Sequence, residues 1–153
     1  MGVCSMLNNY EYFEQAAMQW NIGFELDNEW FETNNLKVAC ITRMLNKRTK
    51  EIFYVIKVDN NFFNLSFETQ KFVFNHEIGH FHQHNENRHK FMTAPERELD
   101  ADEYAKERIG GRVYAIKALT ELKNQTYWDD DKKAVDKIFN IRINCIMKKI
   151  KTI

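Results

Sequence analysis

Between Val73 and His84 the chain reads VFNHEIGHFHQH, and this stretch restricts the fold more than any other. Within it His76, Glu77 and His80 spell HExxH. On a helix with about 3.6 residues per turn, positions four apart share a face, so the two imidazoles can share one metal ion. Glu77, one position beyond the first histidine, flanks that ion and can reach a metal-bound water without being a ligand itself. This is the arrangement of zinc-dependent hydrolysis. Two histidines on a polar helix face also arise by accident, so a second signal is needed.

That signal begins 18 positions after His80, where Glu98-Leu99-Asp100-Ala101-Asp102 reads ExxAD and places Glu98 and Asp102 one helical turn apart. Two histidines and a carboxylate make a three-ligand zinc site with the fourth position open for water, as catalysis requires. A closed structural site commonly recruits a cysteine as fourth ligand, and none lies near in the sequence.

With both motifs in view, HEIGH followed by ERELDADEYA resembles the gluzincin metallopeptidases with an HExxH and ExxxD signature, most of all the small soluble ImmA/IrrE-like and related phage-type peptidases. The resemblance spans about Asn60 to Gly111. It implies His76, His80 and Glu98 as ligands of one zinc ion, Glu77 as general base, and Asp102 as the acceptor that holds the first histidine. The fold it implies is α+β: a zincin-like minimal metallopeptidase domain, mostly helical, with a small β-hairpin or sheet beside the HExxH helix. The implied substrate is a protein or peptide, such as a repressor or antitoxin.

A chain of 153 residues is expected to form a single domain, 1–153, with a respectable core. Lys plus Arg and Asp plus Glu both number 22, so net charge gives no pull towards nucleic acid, and the short basic clusters at Lys47, Arg48, Lys50 and at Lys148, Lys149, Lys151 read as solvated surface. No apolar run approaches the roughly 18 residues of a membrane span, and the N-terminus lacks a basic region followed by an apolar one. Cys4, Cys40 and Cys145 are widely spaced and odd in number, which points to free thiols and a cytoplasmic home.

Along the chain, residues 5–20 form an amphipathic helix with Ser5 as cap, a stripe of Leu7, Tyr10, Phe13, Ala17 and Trp20, and Gly23 as terminator. Alternation from Leu36 to Leu45 and from Glu51 to Val58, around Asn46–Lys50, reads as a hairpin. One exposed edge of it is a candidate shelf for an extended peptide, the other reading being a plain structural hairpin. Asp59-Asn60-Asn61 marks a turn. Ser66 caps the HExxH helix, whose Phe72, Phe74 and Phe81 wrap the site in apolar surface, while Gly79 marks a close approach by the helix carrying Glu98. His82, His84 and His89 lie on a polar run, either solvated or available to an oxyanion or a second metal.

Thr93, Pro95 and Glu96 start the helix of Glu98 and Asp102, which packs through Leu99, Tyr104 and Ile109 and stops at Gly110-Gly111. Two further helices, 112–124 and 126–153, carry apolar stripes at Val113, Ile116, Leu119 and at Ala134, Ile138, Ile141, Cys145, with Asp129-Asp130-Asp131 before the last. No metal-type chemistry is read there. Arg108, Arg112 and Tyr114 are oxyanion donors or, more plainly, surface pairs.

The reaction expected is zinc-assisted peptide hydrolysis with Glu77 moving the proton. The competing class is a non-catalytic, zinc-stabilised interaction module or regulator that holds a partner without cutting it.

Overall fold

The structure is a computed structural model; it describes residues 3–128 and 131–148, with side chains from residue 9 onward. Expectations that fall on Asp129, Asp130, Lys149 and Lys151, and on the side chains of Cys4, Ser5 and Leu7, lie outside what is described. The architecture is α+β, mostly helical with one small mixed sheet. The chain divides into two compact units, residues 1–67 and 68–153.

In the first unit, helix α1 (Val3–Met18) places Phe13 and Ala17 in the core, as their spacing predicts. Its terminator is Asn21 rather than Gly23. Asn21 is left-handed (φ 58°), and the bonds from Asn21 N to Met18 O and from Ile22 N to Ala17 O close a Schellman motif. Gly23 instead opens strand β1 (Gly23–Leu26), which pairs in parallel with β3 (Ile52–Val58). The expected hairpin is present as β2 (Ala39–Leu45) antiparallel to β3, with Leu45 opposite Ile52. Because the order is β1-β3-β2, β3 is central and the free edge of the hairpin belongs to β2.

Residues 36–38 are not strand. Val38 takes a positive φ of 76°, costly for a β-branched residue, and is held there by Asp59, which accepts from Val38 N and whose own N–H donates to Val38 O. The Asp59 turn continues as a short helix, α3 (Asn60–Asn64), and the sequence reading also missed α2 (Asn28–Asn34), capped by Asp27. Phe13, Phe24 and Phe62 pack as one aromatic cluster with ring centroids 5.2–6.0 Å apart.

The second unit contains all but the first residue of α4 (Phe67–Asn85), then α5 (Ala94–Arg108), α6 (Arg112–Lys123) and α7 (Lys132–Lys148). A single 3₁₀ turn, Arg88–Phe91, links α4 to α5. Helix α5 starts where the sequence predicts: Thr93 and Glu96 form a reciprocal capping box, and Pro95 lies in the first turn. Gly110 and Gly111, at φ 108° and 116°, terminate it.

Three packing expectations need correction. The buried face of α5 is Ala101, Asp102 and Ala105, with Leu99, Tyr104 and Ile109 only half-buried. In α6 the buried stripe is Ala115, Ala118, Leu119 and Leu122, whereas Val113 is exposed. In α7 the expected stripe is out of phase: Ile138 and Ile141 are 53% and 49% exposed and Ala134 is exposed, while Val135, Phe139 and Ile146 are buried. The helix is turned so that Arg142, at the same spacing as the buried three, faces inward.

Candidate metal centre

Small residues let α4 and α5 approach closely. A Cβ added to Gly79 would lie 3.0 Å from Ala101 Cα and 3.3 Å from Ala101 O, so a side chain there would crowd the backbone of α5, the neighbour expected. The approach brings three side chains together. His76 Nε2 lies 3.1 Å from His80 Nε2 and 3.1 Å from Glu98 Oε2, and His80 Nε2 lies 3.3 Å from Glu98 Oε1. His76, His80 and Glu98 could therefore hold a metal ion. His76 is buried, His80 half-buried and Glu98 exposed, so the cluster opens to solvent on its carboxylate side.

The far nitrogen of each imidazole is committed. His76 Nδ1 lies 2.8 Å from Asp102 Oδ1, and Asp102 is 1% exposed. An ionised carboxylate only accepts, so this nitrogen carries a proton, and in the neutral imidazole Nε2 presents its lone pair to the cluster. His80 Nδ1 lies 3.0 Å from Oε1 of Gln83, a fully buried residue. The Gln83 amide nitrogen donates to Arg97 O (2.8 Å) and Asp100 Oδ2 (2.9 Å), both acceptors, which fixes the amide so that its oxygen receives the His80 Nδ1 proton. Both Nε2 atoms thus face each other and Glu98, that of His80 with its lone pair and that of His76 with a lone pair once the ring gives up its second proton.

The ionisation of the cluster follows. Burial alone would depress His76, but bonding to Asp102 and Glu98 more than reverses it and pushes the group up to about 10. Burial disfavours the Glu98 anion, yet the two imidazoles overcome this and hold its carboxyl well below the usual range. Asp102 is likewise depressed: burial opposes the charge, and Arg142 and His76 outweigh burial.

Arg142 is the residue the sequence reading missed. Its Nε donates to Asp102 Oδ2 at 2.8 Å and its Nη2 to Asp102 Oδ1 at 2.7 Å, a bidentate pair. The signal that finds it is the alternative phase of α7 described above. Gln83 was also missed; its position three residues after His80, on the same helical face, is the signal.

The remaining candidates are engaged elsewhere. His82 Nε2 lies 3.2 Å from Tyr104 OH, which accepts from Arg108 Nε, and the His84 ring stacks on His89 at 4.0 Å. None of these three histidines joins the cluster, and among the described residues no second group of metal-ligating side chains forms. Arg112 and Tyr114 are exposed. Phe72 and Phe74 are buried, the Phe72 ring 6.4 Å from that of His76, while Phe81 is half-buried. Glu77 is buried.

The chain matches no protein-family model, no curated protein and no solved structure.

Proposed function

We propose that the protein is a zinc-dependent metallopeptidase that hydrolyses peptide bonds of a protein or peptide substrate. The observation that carries this reading is the meeting of three lone-pair-bearing atoms, His76 Nε2, His80 Nε2 and a Glu98 oxygen, at 3.1–3.3 Å. Such atoms repel one another unless positive charge lies among them. A proton on His76 supplies one charge; a divalent cation supplies two and engages all three donors.

The spacing suits such an ion. Donors about 2.1 Å from a tetrahedral centre lie about 3.4 Å apart, so the cluster needs to open by only a few tenths of an ångström. Two imidazoles and one carboxylate favour zinc over calcium or magnesium, which take oxygen donors. Three ligands, with the Glu98 side open, leave room for water and for a substrate carbonyl. When bound, zinc lowers the pKa of a coordinated water towards about 7 and polarises the scissile carbonyl.

Glu77 then accepts the proton of the attacking water and delivers it to the departing amide nitrogen, its burial excluding competing solvent. Asp102 and Gln83 keep both histidines in the ligating tautomer throughout. The peptide substrate class is supplied by the resemblance of HEIGH and ERELDADEYA to the small peptidases.

No helix among the described residues is long and apolar enough to cross a membrane. The half-buried thiols Cys40 and Cys145 support a reducing, cytoplasmic location. The basic hairpin loop remains too small a patch to favour nucleic acid.

The direct test is cleavage of a proteome-derived peptide library by the zinc-reconstituted protein, with and without o-phenanthroline. Chelator-sensitive cleavage that Glu77→Gln abolishes while retaining zinc is the expected result. A zinc-loaded protein that cuts nothing favours the interaction module, and an E77Q variant as fast as wild type removes Glu77 as the base.

A further inference from the structure

The Arg142–Asp102 contact comes from the last helix, 40 positions away in sequence, and reaches a carboxylate with almost no solvent contact. The guanidinium fork occupies Oδ1 and Oδ2 together and fixes the Asp102 carboxylate in one rotamer, with Oδ1 held 2.8 Å from His76 Nδ1.

We propose that Arg142 is a positioning residue of the metal centre, and that α7 is thereby part of that centre: by holding Asp102, Arg142 orients His76 for metal binding. The charge inventory agrees. Glu77, Glu98 and Asp102 bring three carboxylates, Arg142 one cation, and a divalent ion makes the group neutral. Burial opposes the Arg142 charge, and Asp102, followed by Glu98 and Glu77, outweighs it. Phe139, one turn earlier on α7, lies under the guanidinium with its ring centroid 5.1 Å from Cζ and fixes its approach.

This inference rests on the metal-centre part of the proposed function, but is read without substrate, so loss of cleavage and loss of positioning are separate results. The test is competition titration of zinc against a chelating dye, and the visible absorption of the cobalt(II)-substituted protein, for wild type, Arg142→Lys and Arg142→Met. Both variants are measured well below their unfolding temperatures.

R142M is expected to weaken zinc binding by about 10- to 100-fold, the usual cost of losing a partner behind a ligand, and to alter the cobalt spectrum. R142K, which keeps the charge but not the fork, falls between. A residue that only props up the fold would lower the unfolding temperature and leave the affinity of the folded protein unchanged. A folded R142M with wild-type zinc affinity and cobalt spectrum overturns the proposal. Should R142M fail to fold, R142K with wild-type affinity and spectrum overturns it equally, and a wild-type protein that takes up no zinc overturns it together with the metal centre.

Discussion

The Nε2 atoms of His76 and His80 face each other across 3.1 Å, each on an imidazole whose other nitrogen is already held by a buried acceptor. One acceptor is the carboxylate Asp102 and the other the amide Gln83. The two histidines are thus oriented by chemically different partners, and the consequences of removing each differ.

Gln83→Ala removes a fully buried side chain and leaves the His80 Nδ1–H and Arg97 O without their shared partner, while Asp100 keeps Arg88. A loss of about 2–3 kcal/mol in stability is expected from the unsatisfied groups and the lost volume. Zinc affinity should drop by about tenfold or more because His80 is then free to change tautomer. Chemical denaturation and a zinc titration on the same preparation check both; unchanged affinity removes Gln83 from the centre.

Gly79→Ala sets two effects against each other. Alanine favours a helix over glycine by about 1 kcal/mol, but the new methyl would sit 3.0 Å from the Ala101 backbone, which cannot rotate away. Overpacking of this kind costs about 1–3 kcal/mol, so net destabilisation is expected. Moving α5 outwards also displaces Glu98 and Asp102, so zinc affinity should fall with stability. A more stable G79A with intact zinc binding contradicts the close approach.

The meeting of His76, His80 and Glu98 was legible because its determinants are local. HExxH and ExxAD fix which faces of α4 and α5 carry these residues, because helical periodicity converts spacing into direction. The Thr93 capping box and the Gly110-Gly111 stop were legible for the same reason. What failed depended on partners far away in sequence. Helix α7, KKAVDKIFNIRINCIMK, carries apolar residues on two faces, and the stripe Ala134, Ile138, Ile141, Cys145 competes with Val135, Phe139, Arg142, Ile146. Packing of α7 on α5 and α6, together with Asp102, which makes an inward arginine favourable, selects the second. Strand β1 is four residues long, too short to show alternation, and exists because β3 offers it an edge.

Zinc uptake should be proton-coupled. In the metal-free protein His76 is raised from 6.5 to about 10, so its contribution to stability is full below pH 6.5 and is lost as pH rises through about 10. Glu98 and Asp102 are depressed, so their contributions are present above the ordinary carboxylate range and lost as pH falls through their lowered values. A zinc ion must displace the His76 proton. Zinc binding near pH 8 should therefore release close to two protons per ion, one from His76 and most of one from the coordinated water, and apparent affinity should rise with pH towards 10. Indicator-dye titration in weak buffer measures the release, and pH-independent affinity between 7 and 9 contradicts the assignment.

The account depends most on one convergence, and metal stoichiometry tests it most directly. Elemental analysis after zinc reconstitution and removal of loose metal should find one zinc per chain in the wild-type protein and far less in Glu98→Ala. A wild-type protein without zinc, or a Glu98→Ala variant that retains a full equivalent, would show that His76, His80 and Glu98 do not act together on a metal ion.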